Sequence, residues 1–259
     1  MKLRLVPARQ GFVWLRHGLM ACWQQSVGYL GLMGMLTSGA LLLMVLPLIG
    51  PLLVMGAMPM IWMGFMLATR RVLTGQRITP AVLIEPARVA DAPRKEWLQL
   101  GAAYIGAMFL AMTVADWVGP GVQALQDANA QAKDVVDLIS DPLVQADLFW
   151  RWVLTLPVAL VFWHTPALVM WGRIPVAKAL FFSAVASWRN LTAFAVYGLG
   201  WLGVATALGL VIRALAALIP VPAVTEVLAV ILGMWVAGAF YASLYFTVVD
   251  CFEAPAQAS

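Results

Sequence analysis

Hydrophobic residues in this chain are gathered into long blocks, and charged residues fall almost entirely between the blocks. Residues 17–69 contain no Asp, Glu, Lys or Arg, and shorter charge-free runs follow at 97–115, 152–172, 190–212 and 227–249. A transmembrane helix needs about 20 apolar residues, so the first interval can hold two spans and each later run about one. Because backbone polar groups in lipid must be hydrogen-bonded within their own segment, the blocks predict six helices.

Prolines, glycines and tryptophans mark where the six spans end. The predicted spans are about 27–46, 52–69, 97–117, 149–171, 191–213 and 225–249. Pro47, Gly50 and Pro51 break the chain after span 1, and Pro220 and Pro222 do so after span 5. Tryptophan suits the membrane interface, and one stands near each end of spans 3 and 4. We therefore predict an all-α fold, a polytopic transmembrane helix bundle that forms one membrane domain over residues 1–259.

Two shorter stretches have the spacing of amphipathic helices. In residues 8–25 one face carries Phe12, Leu15, Leu19, Cys22 and Trp23, and the other carries Arg9, Arg16, His17 and Gln24. In residues 176–190 the apolar stripe is Val176, Leu180, Ala184 and Trp188, and the residues facing away from it are Ser183, Ser187 and Asn190. Such helices lie in the membrane interface, so we predict two interfacial helices beside the spans. For residues 8–25, a basic extension of span 1 is the alternative.

The composition indicates the same class of protein. Hydrophobic residues make up 63% of the 259 residues and charged residues only 11%, whereas a soluble domain has about 25% charged residues. There is too little polar surface to cover a water-soluble domain of this size.

The distribution of basic residues predicts the orientation. Thirteen of the 16 Lys and Arg residues lie on the side of the N-terminus, in residues 2–16, 70–96 and 173–189. The other three are Lys133, Arg151 and Arg213, on the side of an acidic loop at 118–147. The positive-inside rule therefore predicts that both termini are cytoplasmic. Because the basic residues stand at span ends, the net charge of +4 requires no nucleic-acid partner.

No pattern of enzyme chemistry occurs in the sequence. It contains no phosphate-binding GxxxxGK[ST], no metal-binding HExxH and no GxSxG nucleophile elbow. Asp134, Asp137 and Asp141 share a helical face in the acidic loop, which is more typical of a solvated charge run than of an ion site. Cys22 and Cys251 both fall on the cytoplasmic side, where a structural disulfide is not expected. We therefore expect no enzymatic activity and no cofactor.

Methionines are the feature that most favours a metal. Met55, Met58, Met60, Met63 and Met66 crowd span 2, and thioether sulfur atoms favour Cu(I). Neither Cys nor His lies among them, however, and Met readily fills irregular gaps between helices. We therefore interpret these methionines as packing residues and expect no metal site.

His164, within span 4, is the first candidate functional residue, because an ionisable group inside a membrane is functional by default. No carboxylate lies in the same span. Pro166 has no N–H to donate and leaves a carbonyl near Phe162 without its helical partner. The structural interpretation is that His164 donates a hydrogen bond beside this kink. The alternative is that it relays protons or binds a ligand.

Arg213 and Glu226 are the other candidate functional residues. They flank the turn between spans 5 and 6, where they could pair across the hairpin or extend separately to the interface. Asp116 and Arg151 stand similarly at the outer ends of spans 3 and 4.

Two further patterns concern packing and symmetry. Small residues recur in span 6 at Ala229, Gly233 and Ala237, and in span 5 at Gly200 and Gly203, which predicts closely packed helices. Residues 8–69 and 175–249 share one order of amphipathic helix, span, Pro-containing turn and span. This order indicates either an internal repeat about an axis along the membrane normal or the ordinary likeness of two hairpins.

Three stretches of sequence resemble a known family. These are ARQGFVWLRHG, PALVMWGRIPVAKALFFSAVASWRNLTAFAVYGLGW and YASLYFTVVDCF. They resemble an uncharacterised family of six-span inner-membrane proteins of beta-proteobacteria and their relatives, and the similarity covers nearly the whole chain. A more distant likeness, through KALFFS and the following RN, is to the membrane domains of some bacterial glycerophosphodiester phosphodiesterases. The resemblance implies a six-span fold and a location in the bacterial inner membrane, and it implies no catalytic residues.

The sequence therefore favours a non-enzymatic accessory or scaffold protein that acts through membrane lipids or a membrane protein partner. A small-solute or lipid transporter is the alternative. A polar cavity that reaches the middle of the membrane would distinguish the two.

Overall fold

Helices account for nearly all of the regular structure in the computed structural model, which describes residues 2–132, 138, 140–219 and 221–253. The α-helices are α1 (Gln10–Gln24), α2 (Ser26–Met44), α3 (Ile49–Leu73), α4 (Glu85–Arg88), α5 (Arg94–Val118), α6 (Val122–Gln131), α7 (Pro142–Phe162), α8 (Thr165–Met170), α9 (Val176–Arg189), α10 (Leu191–Leu218) and α11 (Pro222–Cys251). A short 3-10 helix covers Pro80–Leu83. The predicted features at Lys133, Asp134, Asp137 and Pro220 lie outside the described residues.

The six predicted spans are confirmed. Helices α2, α3, α5, α7 with α8, α10 and α11 are each long and apolar enough to cross a membrane. The largest shift of a boundary is at span 4, which begins at Pro142. Asp141 caps this helix, since its carboxylate accepts hydrogen bonds from the backbone N–H groups of Leu143 at 2.7 Å and Val144 at 3.4 Å. Asp147 therefore lies inside the helix, so its predicted place in the solvated loop was wrong.

Helix α3 lies at the centre of the bundle. It packs between α5 and α11, with α7 on the far side of α5 and α10 on the far side of α11. Helix α2 lies against both α3 and α11. We call the end of the bundle with residues 2–9, 70–93 and 171–175 the basic end, and the end with residues 119–132 the acidic end.

Helix α1 is packed into the bundle along α10 and α11. Only part of the predicted apolar face of α1 contacts the bundle. Leu15 and Cys22 are buried, whereas Phe12 and Trp23 are 60% and 76% exposed. Cys22 and Cys251 are free thiols, as predicted. Burial raises the pKa of the Cys22 thiol to about 12, so this cysteine is protonated at neutral pH and a poor nucleophile.

Glycines at two positions let α1 approach its neighbours. A Cβ atom at Gly11 would lie 2.6 Å from the backbone nitrogen of Tyr197 in α10, and one at Gly18 would lie 2.7 Å from the carbonyl oxygen of Ala239 in α11. Both distances are far inside van der Waals contact, so only glycine fits this packing.

The basic loop at 70–96 is more ordered than its charge suggested. Its apolar turn, residues 78–84, folds back against α3 and buries Val82 and Leu83. A Cβ atom at Gly64 would lie 2.8 Å from Cα of Leu83, so this glycine admits the turn. Gly64 precedes Arg70 by six residues, which places the turn about 9 Å from the arginine along the helix axis.

Towards the acidic end, α10 and α11 are less closely packed than their recurring small residues predicted. A Cβ atom at Gly203 or Gly233 would have no neighbour within 4 Å, although one at Gly200 would meet Leu15. The prediction of close packing was therefore wrong at Gly203 and Gly233. Large apolar side chains such as Leu210 and Val227 point outward here, which suits a surface that lipid chains cover.

Candidate functional site

The fourth span is broken at the predicted position. Helix α7 ends at Phe162 and α8 begins at Thr165, with Pro166 in the first turn of α8. A proline at this position has no N–H to donate to the carbonyl four residues earlier. The kink expected from the sequence is thus confirmed, and the next question is which groups satisfy the polar backbone around it.

Serines of α9 bind the backbone at the break. The N–H of His164 donates to Oγ of Ser183 at 3.0 Å instead of to Leu160. The carbonyl of Leu160 accepts hydrogen bonds from Ser187 at 2.9 Å and from Ser183 at 3.4 Å. The hydroxyl of Thr165 adds a bond to the carbonyl of Val161 at 2.9 Å. Two hydroxyl groups of α9 therefore replace one missing helical hydrogen bond.

This arrangement determines which side of α9 faces the protein. Ser183, Ser187 and Asn190 lie away from the apolar stripe, as predicted, and they are the buried side. Trp188, on the stripe, is 75% exposed. The helix thus presents its polar side to the bundle and its apolar side outward. This orientation suits a helix surrounded by lipid, because polar groups there must be hydrogen-bonded within the protein.

His164 does not have the predicted role. Its side chain is fully buried, and neither ring nitrogen has a hydrogen-bond partner among the described residues. The imidazole lies between the rings of Phe194 and Phe252, with centroid distances of 5.6 and 5.3 Å and edge-on geometry. The serines, and not the histidine, donate hydrogen bonds at the break, and the carbonyl that they bind is that of Leu160. Sequence reasoning missed them because they come from a helix about 20 residues further along the chain.

These contacts predict that one substitution lowers the free energy of unfolding and that another leaves it unchanged. Ser187→Ala should lower the free energy of unfolding by roughly 0.6 kcal/mol and by no more than about 2 kcal/mol, which is the usual range for hydrogen bonds between membrane helices. His164→Phe should cause no loss, because the ring packing is kept and no hydrogen bond is removed. Unfolding in detergent micelles, with Ser38→Ala at an exposed position of α2 as the control, measures both. A larger loss for His164→Phe than for Ser187→Ala would contradict the assigned roles.

The two ends of the described chain meet beside His164. Leu3 and Phe252 form an antiparallel bridge, and the N–H of Arg4 donates to the carbonyl of Cys251 at 2.8 Å. The side chain of Asn190 accepts from the N–H of Val6 at 2.9 Å and donates to the carbonyl of Arg4 at 3.1 Å. Because Phe252 also contacts the imidazole, the bridge closes the basic end over His164.

Asp250 fastens the start of α1 to the end of α11. Its carboxylate accepts hydrogen bonds from the Gln10 side chain at 2.6 Å and from the Trp14 indole at 2.8 Å. A carboxylate that accepts two hydrogen bonds is a strong anchor, because such bonds are charge-assisted. The pairing was not foreseen, since 240 residues separate Gln10 from Asp250.

Arg213 and Glu226 do not form the predicted pair. Both side chains are exposed, and the three ion pairs among the described residues include neither of them. The alternative, in which each extends separately to the interface, therefore describes them better.

The ion pair at the acidic end involves Arg151. Its guanidinium lies 2.6 Å from Asp116 of α5 and 2.7 Å from Asp147 of its own helix. The Arg151 side chain is 29% exposed and that of Asp147 is 11% exposed. This cluster joins α5 to α7 where both helices approach the acidic end.

The outward faces of α1 and α9 combine aromatic and basic side chains. On α1 these are Phe12, Arg16 and Trp23, and on α9 they are Phe181, Lys178, Trp188 and Arg189, all of them exposed. Aromatic rings and cationic groups are the residues enriched where a membrane protein meets lipid headgroups. The outward faces of these two helices are therefore the chemically best-defined exposed surface of the basic end.

Two polar cavities also open at the basic end. One of about 390 Å³ is lined by Asp91, Glu96 and Arg173, and Arg173 donates a hydrogen bond to the carbonyl of Asp91. The other, of about 290 Å³, is lined by Arg70, Arg71 and neighbouring polar residues. In the described part of the chain, no three His, Cys, Asp or Glu side chains come together as a metal site would need.

Comparison with known proteins gives one informative relative. The chain is 30% identical to a probable inner membrane protein of Burkholderia thailandensis over 97% of this chain and 94% of that protein. No protein-family model matches the chain, and no solved structure is significantly similar to it. The six apolar helices agree with this relationship and with the family resemblance in the sequence. The chain therefore belongs to the same family of six-span inner-membrane proteins as its relative in Burkholderia.

Proposed function

We propose that this protein is a non-enzymatic accessory or scaffold of the inner membrane that acts through the lipids of the cytoplasmic leaflet and through membrane proteins held in that lipid. The proposal depends on one observation, the outward faces of α1 and α9. There, exposed aromatic side chains such as Trp23 and Trp188 stand beside exposed cations such as Arg16 and Arg189.

The proposal places the basic end in the cytoplasm. Basic residues concentrate on that side in bacterial inner-membrane proteins, and anionic headgroups attract each of them by about 1 kcal/mol. An alkaline phosphatase fused after residue 130 should therefore be active in the periplasm. An inactive fusion at residue 130, with an active alkaline phosphatase fused at the C-terminus, would reverse the orientation, because the disulfides of this enzyme form only outside the cytoplasm.

A transporter is the second candidate function. The broken fourth span and the buried His164 favour it, because discontinuous helices form substrate sites in many transporters. In this protein, however, the break is filled by Ser183, Ser187 and the ring contacts of His164. The polar cavities described above open at the basic end and not at the middle of the bundle. These features support the accessory function over transport.

Lipid composition around the extracted protein tests the proposal. Native nanodiscs with the wild-type protein should be enriched in anionic phospholipid relative to the whole membrane. A Lys178→Gln, Arg189→Gln double variant should lose part of that enrichment, because two exposed cations of α9 are removed. Arg213→Gln, which removes an exposed cation at the acidic end, is the matched control. Equal enrichment in all three proteins would contradict a role of this surface, and protein-dependent solute flux in proteoliposomes would establish the transporter instead.

A further inference from the structure

An apolar groove runs between α2 and α3, beneath the apolar turn of the basic loop. Its walls include Met35 and Leu43 of α2 and Ala57 and Ile61 of α3, and Pro80 and Ile84 close one end. Its volume is about 370 Å³. Gly39 forms part of the floor, where an added Cβ atom would have no neighbour within 4 Å.

The depth of the groove matches one leaflet of a bilayer. Met60, in its wall, precedes Arg70 by ten residues, which is about 15 Å along the helix and half of a hydrocarbon core of about 30 Å. With Arg70 at the membrane surface, Met60 stands near the middle of the membrane. An acyl chain hanging from a headgroup at Arg70 would therefore lie beside this wall.

The cavity of about 290 Å³ with Arg70 and Arg71 lies beside the turn that closes the groove. Arg71 is already paired, because its guanidinium binds Glu85 at 2.6 Å and Thr79 at 2.8 Å, at the two flanks of the turn. The Arg70 side chain makes no hydrogen bond or ion pair to another described residue. The cavity therefore contains one uncompensated cation, which is suited to a phosphate group.

Between Met35 and Leu43 the groove is about 12 Å long. Its volume of about 370 Å³ and its apolar lining suit part of one extended acyl chain. The apolar walls, the depth and the adjacent cation together indicate a phospholipid with a negatively charged headgroup.

We propose that this groove binds one acyl chain of an anionic phospholipid whose phosphate contacts Arg70. The inference rests on the proposed function in its orientation and in its use of lipid, and it assigns a single specific lipid site. Arg71 is a positioning residue here, because its bonds to Thr79 and Glu85 hold the turn that ends the groove.

Lipid binding to the full-length protein tests this site. Delipidated protein is titrated with dioleoyl phosphatidylglycerol, and the bound lipid is counted by native mass spectrometry. Gly39→Leu places a side chain in the groove and should weaken binding of the tightest lipid roughly tenfold, by steric exclusion. Gly34→Leu is the matched control, since Gly34 lies on the opposite side of α2 and a Cβ atom there also has no neighbour within 4 Å. It should bind as the wild type does.

Replacing arginines with neutral glutamine tests whether the lipid phosphate contacts Arg70. Arg70→Gln should weaken phosphatidylglycerol binding about two- to fivefold, the range expected for an exposed ion pair, and should reduce the preference over dioleoyl phosphatidylcholine. Arg88→Gln, at an exposed position of the same loop, should change neither. Circular dichroism confirms that each variant is folded, and Gly39→Ala, which leaves most of the groove open, should retain binding.

Two results would overturn the site. One is wild-type binding by folded Gly39→Leu protein, and the other is an equal effect of Arg70→Gln and Arg88→Gln. The nanodisc measurement with Lys178 and Arg189 separates this inference from the proposed function. Unchanged enrichment in the Lys178→Gln, Arg189→Gln variant, together with a tightly bound lipid that Gly39→Leu weakens, would refute only the function. Reduced enrichment in that variant, together with wild-type binding by folded Gly39→Leu protein, would refute only the site.

Discussion

Replacing Gly18 with leucine should be among the most destabilising single changes in this protein. The new side chain would begin 2.7 Å from the carbonyl oxygen of Ala239 and 3.0 Å from Cα of Ser243, and backbone atoms of a long helix cannot move aside cheaply. Overpacking of this kind costs typically about 1–3 kcal/mol and occasionally more. We expect the upper part of that range. The amount of protein in the membrane should fall several-fold, since a loss of about 1–2 kcal/mol already changes cellular abundance.

Gly203→Leu is the control for this prediction. It makes the same chemical change in α10, at a position where a Cβ atom has no neighbour within 4 Å. Unfolding in detergent and quantification of membrane fractions compare the two variants. If both were equally stable, close packing of α1 against α11 at Gly18 would not be what holds this helix in place.

Arg151→Met should produce the second largest effect. It leaves the carboxylates of Asp116 and Asp147 without their shared cation, and Asp147 has little access to water. Removing one partner of a fully buried ion pair costs about 3–5 kcal/mol. Because Arg151 is itself partly exposed, solvent screening reduces the expected loss to about 2 kcal/mol. Thermal unfolding of the purified protein measures it.

Two further variants test whether the loss comes from the pairing of Arg151 with the two aspartates. Arg151→Lys keeps the charge but not the forked geometry, so it should recover only part of the stability. Arg213→Met removes an exposed arginine that forms no ion pair with a described residue, at the same end of the bundle, and it should be close to neutral. A loss as large for Arg213→Met as for Arg151→Met would mean that net charge, and not the pairing with two aspartates, is responsible.

The spans were predictable because the membrane imposes simple requirements. A charge-free run of bilayer length must be helical to satisfy its own backbone, so residues 152–172 and 190–212 could be read directly as spans. The break near Pro166 was predictable for the same local reason, since proline has no N–H. Boundaries such as Pro142 required the cap by Asp141, which composition alone does not reveal.

The candidate site depended on contacts that composition does not encode. Which group satisfies the carbonyl of Leu160 depends on how α9 folds back, and the serines on its polar side were the available signal. The seven-residue spacing of Gly11 and Gly18 was a similar signal for the packing of α1. The role of His164 was predicted wrongly because an isolated polar residue in a span was expected to need a hydrogen-bond partner. In the structure, the imidazole packs against the rings of Phe194 and Phe252 instead.

The bond between Gln10 and Asp250 has a consequence for how the protein is made. The two residues are 240 positions apart, and ribosomes add about 5–20 residues per second, so α1 leaves the ribosome roughly 10–50 s before the end of α11 does. Gly11 can pack once α10 has been made, but Gly18 has no partner until Ala239 and Ser243 of α11 follow. Lipid or an insertion factor must shield this part of α1 until α11 arrives, and a nascent chain that stalls before α11 would keep it open to recognition by membrane quality-control proteases.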